Sequence, residues 1–262
     1  MLTLCLEKLA AGAQTLDNSL YEVIVTDDGR HNEAKQLIEI KYPWASWMEG
    51  PKKGPAANRN NGAKKATGKW LVFTDDDCLP DPDWLHAYKK GLEANLDCKA
   101  FEGAILPDDW ELLKKDMAEC PVNTKGGAFW SANIMVEKNL FWQVDGFDEK
   151  FKIAAQEDQD LQKKILVKTN IKFWSDARII HPVRIAQFKQ AIKNIPRAIQ
   201  NWYQFNRKYN NMVSSIRMGT KSQVFALASN VLKARIKSAT VNCITLVCLL
   251  PVMFFYAFKK IK

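Results

Sequence analysis

The sequence predicts an α/β fold followed by a basic helical tail, and three observations lead to this prediction. Over the first 75 residues, short apolar runs rich in β-branched residues alternate with helical stretches. Two of these runs end abruptly in clustered aspartates. From residue 177 onward, the chain contains 15 Lys or Arg and neither Asp nor Glu. Since 47% of the 262 residues are hydrophobic and 26% are charged, the composition excludes a disordered or collagen-like protein.

The individual elements follow in chain order. Apolar residues at helical spacing predict a helix from the start to about residue 13. Residues 21–29 (YEVIVTDDG) are predicted as a strand that ends in a turn. Residues 32–41 are predicted as a helix, and so are residues 54–67, because Gly-Pro is typical of a helix start. Residues 70–74 (WLVFT) form a second buried strand. Strands that alternate with helices are joined by right-handed crossovers, so this order predicts a parallel sheet.

Both acidic clusters, Asp27-Asp28 and Asp75-Asp76-Asp77, follow predicted strands. Ligands of open α/β sheets bind outside the carboxyl ends of the strands, where these clusters are expected. Adjacent carboxylates repel one another unless a cation or a donor-rich ligand compensates them. An oxygen-only ligand set favours Mg²⁺ or Mn²⁺. A solvated acidic loop is the alternative interpretation.

The cysteines argue against a zinc module or a redox dithiol. The six cysteines lie at positions 5, 78, 98, 120, 243 and 248, with no CxxC pair. This scatter predicts small buried thiols and suits a reducing compartment.

The charge distribution separates an acidic body from a basic tail. Residues 1–176 hold 23 basic and all 29 acidic residues, a net charge of −6, whereas residues 177–262 carry +15. Residues 239–258 form an uncharged stretch that is as long as a bilayer-spanning helix. Basic residues flank it on both sides. We expect this stretch to insert into a membrane, the alternatives being a buried C-terminal helix or an in-plane hairpin. Nucleic acid is not an expected partner, because no recognition motif accompanies the charge.

Five segments in this order resemble family-2 glycosyltransferases of the GT-A fold, over residues 1–182. They are DDG at 27–29, GPAANRNNGAKKATG at 54–68, TDDDCLPDPDWL at 74–85, FWSANIMVEKNLFWQVDGFDEKF at 129–151 and EDQDLQKKI at 157–165. The resemblance implies a Rossmann-like mixed sheet with flanking helices. It also implies inverting, metal-dependent transfer of a sugar from a nucleotide diphosphate sugar to an acceptor hydroxyl. The resulting domain division is 1–182 catalytic, 183–238 basic and helical, and 239–258 membrane-anchoring.

On the nucleotide side, the resemblance assigns four residues. Asp27 and Asp28 match the pair that contacts the nucleoside, and Arg59 and Asn60 match a motif beneath the nucleotide. Asn58 stands before Arg59 where the family usually has a small residue. An exposed helix arginine is the alternative for Arg59.

The resemblance places the metal at the second acidic cluster. Asp75 and Asp77 match the D-x-D motif, with Asp77 as the expected direct ligand, and Asp76 is assigned with Asp75 to the nucleotide sugar. His181 follows a predicted strand at a point where some GT-A enzymes place a third metal ligand. A structural histidine is the alternative interpretation for His181.

The remaining assignments concern the acceptor. Asp158 matches the general base, with Glu157 supporting it, whereas acids that merely favour a helix N-terminus are the alternative. Gly127 indicates backbone that approaches a ligand, Trp130 is expected either to stack on a sugar or to pack in the core, and Asn133 matches a position behind the acceptor pocket. We expect a saccharide or lipid-linked acceptor at a membrane, with the catalytic domain on the cytoplasmic side.

The sequence departs from the family at its start. Family members begin with a strand before the helix that LTLCLEKLAAG (2–12) resembles, and this strand is absent. We expect about 10 to 20 further N-terminal residues in the full protein, since a strand and its connection have this length.

Two other functions are compatible with parts of the pattern. A nucleotidyltransferase would use the metal aspartates but not the GFDE (146–149) and EDxDL (157–161) motifs. An inactive membrane-bound protein that binds a sugar nucleotide or a partner is the second alternative. Donor, acceptor and linkage depend on loop geometry, which the sequence motifs do not reveal.

Overall fold

The computed structural model describes residues 1–29, 31, 33–209 and 235–259. They divide into two compact units. The first comprises Met1–Asp108 and Pro121–Pro182, and the second comprises Asp109–Cys120 with the described residues from Val183 onward. The second unit therefore includes a short segment that the sequence-based division assigned to the catalytic domain.

Helices and strands alternate along most of the chain. The helices are α1 (Leu2–Leu9), α2 (Glu33–Lys41), α3 (Pro55–Lys65), α4 (Trp84–Ala94), α5 (Lys138–Gln143), α6 (Glu157–Leu166) and α7 (Phe188–Lys208), followed by a C-terminal helix (Ile236–Lys259). The strands are β1 (Ile24–Asp27), β2 (Ser46–Glu49), β3 (Trp70–Phe73), β4 (Leu79–Pro80), β5 (Ala100–Pro107), β6 (Ala118–Glu119), β7 (Ile134–Glu137), β8 (Lys172–His181) and β9 (Arg184–Ile185).

Of the crossovers predicted over the first 75 residues, only the first joins paired parallel strands, although β5 and β8 are also parallel. Strands β1 and β2 are parallel, with Ile24 opposite Ser46, and α2 connects them as expected. A separate five-stranded sheet has the order β3-β7-β5-β8-β4 and is mixed, because β7 runs antiparallel to both β3 and β5. The prediction of a wholly parallel sheet was therefore wrong, since long-range pairing sets the direction of β7. The mixed sheet that the resemblance implied is confirmed, and the expected additional N-terminal strand stays a prediction.

Helices cover both faces of the five-stranded sheet. Alternate residues of a strand point to opposite faces. In β7, Met135 belongs to a buried cluster with Trp84 and Tyr88 of α4, whereas its neighbours belong to a second cluster with Phe141 of α5 and Leu161 of α6. The sheet is thus the middle layer of three.

The N-terminal helix is shorter than predicted. Cys5, Leu6 and Leu9 are buried as the periodicity indicates. The helix ends at Leu9 because Ala10 is extended, and Gly12 has φ +81°. The predicted helix at 54–67 does begin at the Gly-Pro pair and extends over Pro55–Lys65.

In the second unit, β6 pairs antiparallel with β9, and the C-terminal helix contacts α7. The Asp116 carboxylate accepts hydrogen bonds from the backbone N–H groups of Lys237 and Ser238, and so caps the start of this helix. The stretch 239–258 lies within the helix, but no helix in the described part of the chain is both long and apolar enough to cross a bilayer. The expected bilayer-spanning segment is therefore not supported. Residues 210–234 of the predicted basic region lie outside the described residues.

Asn133 connects three elements of the first unit from a fully buried position. Its Oδ1 accepts hydrogen bonds from Trp84 Nε1 at 2.8 Å and from the Tyr88 hydroxyl at 2.7 Å. Its Nδ2 donates to the backbone carbonyls of Ala104 and Ala177, both at 2.8 Å. Helix α4 is thereby bonded to strands β5 and β8 through one side chain, which is only 1% exposed.

We predict that Asn133→Ala destabilises the protein by at least about 3 kcal/mol, because each buried polar group left without a partner costs about 1–3 kcal/mol. Urea denaturation of both proteins measures this change in the free energy of unfolding. Asn18→Ala is the matched control: Asn18 is exposed, and a change within about 0.5 kcal/mol is expected. Equal effects of the two substitutions would contradict the structural role of Asn133.

Candidate active site

Four side chains that can bind a metal converge where β3 and β8 end. The ligand atoms of Asp75, Asp77, Cys78 and His181 all lie within 4.8 Å of one another. Their proximity follows from strand pairing, since β4 pairs antiparallel with β8 and sets Leu79 opposite Ile180. The residues just before β4 therefore lie beside His181, which ends β8. The structure thus brings together the three metal ligands expected from the sequence and adds Cys78.

The imidazole of His181 is oriented by the backbone. Its Nδ1 lies 3.0 Å from the carbonyl oxygen of Pro182, and its Nε2 lies 3.6 Å from Asp77 Oδ1. A carbonyl oxygen only accepts, so Nδ1 carries the proton and Nε2 of the neutral ring has its lone pair. Metal-binding histidines commonly use this arrangement.

Cys78 changes the chemistry of the expected site. Its side chain is 0% exposed, and Sγ lies 4.0 Å from Asp77 Oδ1. Burial, together with the charge of Asp75, raises the pKa of the Cys78 thiol to about 12. The donor set therefore contains nitrogen and sulfur besides the carboxylate oxygens. These residues fit a divalent cation. Asp76 is exposed and is not part of this cluster.

Arg59 of α3 joins the metal cluster to a second group of acids. Its Nη2 lies 2.8 Å from Asp75 Oδ1, and its Nη1 lies 3.1 Å from Glu157 Oε1. The guanidinium carbon also lies 5.7 Å from the centre of the Phe147 ring. Burial alone would lower the pKa of this guanidinium, but the charges of the surrounding carboxylates raise it above its ordinary value. Arg59 is only 17% exposed, so it is not the exposed helix arginine of the alternative interpretation.

Glu157 is held on both carboxylate oxygens. Besides the Arg59 ion pair at Oε1, its Oε2 accepts a hydrogen bond from the backbone N–H of Ala155 at 2.7 Å. The residue is 2% exposed. Ala155 and Gln156, which precede α6, have φ values of 139° and 75°. Such backbone is costly for residues other than glycine, and it is typical of functional sites.

Asp158, the next residue, has a different environment. The backbone N–H and the hydroxyl of Ser131 lie beside its carboxylate and favour the ionised form. One carboxylate oxygen, Oδ1, is buried and has no hydrogen-bond partner among the described residues. Burial, followed by the charge of Glu157, raises the pKa of Asp158 to about 7, although Arg59 opposes this shift. A carboxylate that titrates near neutrality is suited to general base catalysis.

Asp27 and Asp28 shape the loop that follows β2. Asp28 accepts hydrogen bonds from the backbone N–H groups of Lys52, at 2.5 Å, and Gly54, at 3.1 Å. Asp27 Oδ2 lies 3.5 Å from Trp47 Nε1. Their contact with a nucleoside stays a prediction.

Asn60 is buried, and its contacts in this structure are with the protein itself. Its Nδ2 donates to the Phe147 carbonyl, and its Oδ1 accepts from the Phe147 N–H, both at 2.9 Å. Gly146 has φ +53°, and a Cβ at this position would lie 2.7 Å from Asn60 Oδ1. Asn60 therefore fixes the GFDE turn of residues 146–149. Its predicted contact with the nucleotide stays a prediction.

The glycine loop before β7 is held by a buried acid that sequence reasoning missed. Glu102 of β5 is 3% exposed and accepts hydrogen bonds from the N–H groups of Gly127 and Phe129. Gln162 of α6 donates to the Gly127 carbonyl at 3.1 Å. Gly127 has φ +92°, which explains the glycine. An acid inside an otherwise apolar strand, AFEGAILP, was the signal for Glu102; no sequence signal marked Ser131.

The two other acceptor-side residues have different surroundings. Trp130 is half-buried and packs against the core cluster that contains α4, so its contact with a sugar stays a prediction. Asn133 is buried and its amide is fully bonded to protein, and its place behind an acceptor pocket stays a prediction.

We predict that Arg59→Met lowers the free energy of unfolding by about 3–5 kcal/mol, since removing one partner of a buried ion pair leaves an uncompensated charge. This loss in the free energy of unfolding is expected to be smaller at acidic pH, because protonation of the unpaired carboxylates removes their charge. Urea denaturation at neutral and acidic pH measures both effects. Lys89→Met removes only the exposed pair with Glu93 and should cost less than about 0.5 kcal/mol. A loss independent of pH would contradict the ion-pair explanation.

Comparison with known proteins identifies the domain. Residues 1–102 match the family described as Glycosyl transferase family 2. A GalNAc(5)-diNAcBac-PP-undecaprenol beta-1,3-glucosyltransferase of Campylobacter jejuni is 31% identical over 169 residues, covering 56% of this chain and 51% of that protein. A glucosyl-dolichyl phosphate glucuronosyltransferase of Haloferax volcanii is 26% identical over 110 residues, covering 37% of this chain and 35% of that protein. The chain thus spans about half or less of the length of these relatives.

Solved structures share the fold. S. aureus TarS 1–349 in complex with UDP-GlcNAc superimposes with a TM-score of 0.57 at 16% identity, covering 92% of this chain and 86% of that one. GalNAc-T7 with UDP, GalNAc and Mn²⁺ gives a TM-score of 0.52 at 14% identity, covering 76% and 50%. The predicted resemblance is therefore confirmed: residues 1–102 match a glycosyl transferase family 2 domain, and the fold is GT-A.

Proposed function

We propose that this protein transfers a sugar from a nucleotide diphosphate sugar to an acceptor hydroxyl, with inversion and with a divalent metal ion. The observation that supports this function best is the connection between two groups of acids. Through Arg59, the metal-binding cluster at Asp75 is joined to Glu157, next to a carboxylate whose pKa lies near neutrality. A sugar transferase needs both groups, one at the leaving diphosphate and one at the attacking hydroxyl.

The donor side follows from the charges in the cluster. Asp75, Asp77 and His181 are the residues that would hold Mg²⁺ or Mn²⁺. The ion supplies Lewis-acid neutralisation of the diphosphate charge that develops as the glycosidic bond breaks. Asp27 and Asp28 are proposed to bind the nucleoside, and Arg59 and Asp76 are proposed to lie along the bound nucleotide sugar.

The acceptor side depends on Asp158. In the proposed reaction the Asp158 carboxylate takes the proton of the acceptor hydroxyl as the hydroxyl oxygen attacks the sugar. The backbone N–H and the hydroxyl of Ser131 favour the ionised form of this carboxylate. Glu157 is already bonded on both oxygens and therefore positions the loop and Arg59. A single displacement inverts the configuration at the sugar carbon, because the acceptor oxygen forms its bond on the face opposite the leaving diphosphate.

The proposed acceptor is a lipid-linked saccharide at a membrane surface. Two relatives act, by their names, on undecaprenol- and dolichyl-linked substrates. The tail has 15 basic residues and no acidic ones from residue 177, and each such charge near an anionic surface contributes about 1 kcal/mol of attraction. Free cysteines throughout the described chain suit a reducing compartment, so the catalytic domain is proposed to face the cytoplasm.

The proposed function predicts metal-dependent release of nucleoside diphosphate. The full chain is incubated with a panel of nucleotide diphosphate sugars, Mg²⁺ or Mn²⁺, and either a lipid-linked or a water-soluble saccharide. We expect the largest release with the lipid-linked acceptor and little with Asp77→Asn. Asp97→Asn, an exposed carboxylate outside the site, should retain full activity. Release of pyrophosphate would instead indicate a nucleotidyltransferase, and absence of turnover would indicate a binding protein.

Catalysis by Asp158 predicts a defined pH dependence. A base must be deprotonated, so kcat/KM is expected to rise with pH through the Asp158 pKa of about 7. Ser131→Ala removes the hydroxyl that favours the ionised carboxylate but keeps the backbone N–H, and it should move this midpoint to higher pH. Asp158→Asn should keep donor affinity and lose about 10²- to 10⁴-fold in turnover. Steady-state kinetics and donor binding by calorimetry separate these effects, and a collapse of donor affinity in Asp158→Asn would assign Asp158 to the donor site.

A further inference from the structure

The thiol of Cys78 is the one member of the metal-binding cluster that the proposed reaction does not use. Residue 78 follows Asp77 directly and precedes β4, and its thiol lies close to the imidazole of His181. Its side chain is fully buried. Ligand atoms of a tetrahedral site with bonds of about 2.0–2.3 Å lie roughly 3.3–3.8 Å apart. The observed spacing, within 4.8 Å, requires only a small contraction.

The donor atoms differ from those of a typical magnesium site. Mg²⁺ prefers oxygen and keeps several waters, whereas a set of thiolate, imidazole and carboxylates suits Zn²⁺ and Co²⁺. The hydrogen bond from His181 Nδ1 to the Pro182 carbonyl is the support that such ions commonly have. Because a carboxylate has two oxygens, Asp75 can bind a metal while it keeps its ion pair with Arg59.

We propose that Cys78 is a fourth metal ligand, and that Zn²⁺ bound through Asp75, Asp77, Cys78 and His181 inhibits the enzyme. When the sulfur–metal bond forms, the thiol proton passes to solvent. Four protein ligands complete a tetrahedral shell, as in structural zinc sites, so no position is left for a diphosphate oxygen. Mg²⁺ or Mn²⁺ bound without the thiol keeps open positions. The inhibition rests on the proposed function, but the binding of the metal does not.

Cobalt binding tests the ligand without any substrate. The full chain is titrated with Co²⁺ in the absence of donor and acceptor, and the sulfur-to-cobalt charge-transfer absorption is recorded. We expect this band in the wild type and its loss in Cys78→Ser. Cys98→Ser and Cys5→Ser are matched controls and should keep it. Cys5 is the stringent control, because its thiol lies 3.7 Å from the Asp75 carbonyl oxygen, next to the cluster. A band that persists in Cys78→Ser, or that disappears in Cys5→Ser, overturns the proposal.

A measurement on the wild type alone covers the case in which Cys78→Ser does not fold. X-ray absorption of the cobalt-loaded protein counts its sulfur ligands: one is expected, and none overturns the proposal. Zn²⁺ should also displace Co²⁺, whereas a large excess of Mg²⁺ should not.

Inhibition is measured separately as nucleoside diphosphate release in Mg²⁺ with added Zn²⁺. Cys78→Ser should need at least about tenfold more Zn²⁺ for the same inhibition, since even losses around a metal site cost 10–100-fold in affinity. Equal sensitivity of the two proteins overturns the inhibitory role. A wild type with the cobalt band but no turnover would refute the proposed function and leave the metal ligand established.

Discussion

One guanidinium holds the acidic side chains of this site together. Asp75 is far in sequence from Glu157 and Asp158. Buried like charges repel one another, which would separate these carboxylates or cause their protonation. Arg59 of α3 bonds to the first two and acts electrostatically on the third. A buried ion pair gains little net stability, but a buried acid without its partner is strongly destabilising. The relative placement of the metal cluster and helix α6 therefore depends on Arg59.

Adjacent acids acquire different roles from their surroundings. Glu157 is bonded on both oxygens, by Arg59 and by the Ala155 N–H. Asp158 has the N–H and the hydroxyl of Ser131 beside its carboxylate, and its buried Oδ1 has no hydrogen-bond partner among the described residues. When two neighbouring acids have environments that favour different pKa values, one of them can act as a base. The positive φ values before α6 indicate that this arrangement costs backbone strain.

Several buried polar side chains near the site form hydrogen bonds with the backbone of its loops and strands. Asn60 bonds both backbone groups of Phe147, and Glu102 holds the N–H groups of the loop at Gly127. Asn133 bonds two strands and one helix at once. Buried polar groups of this kind are stable only when all their hydrogen bonds are made, so they fix one loop conformation. The loops are therefore held by bonds within the protein, which lowers the cost of positioning a ligand.

The sequence by itself determined the features that depend on local pattern. Strands β1 and β3, helix α3 with its Gly-Pro start, and the aspartates after each strand are all encoded within about ten residues, because hydrophobic period and turn chemistry are local. The resemblance to a known family, and not a local pattern, implied Asp75, Asp77 and His181 as metal ligands. Only the tertiary structure decided the antiparallel direction of β7, the arrival of Cys78 beside His181 and the ion pairs of Arg59. These depend on strand register and on contacts between residues far apart in sequence, such as the 98 positions between Arg59 and Glu157, and a local sequence pattern carries no information about such contacts.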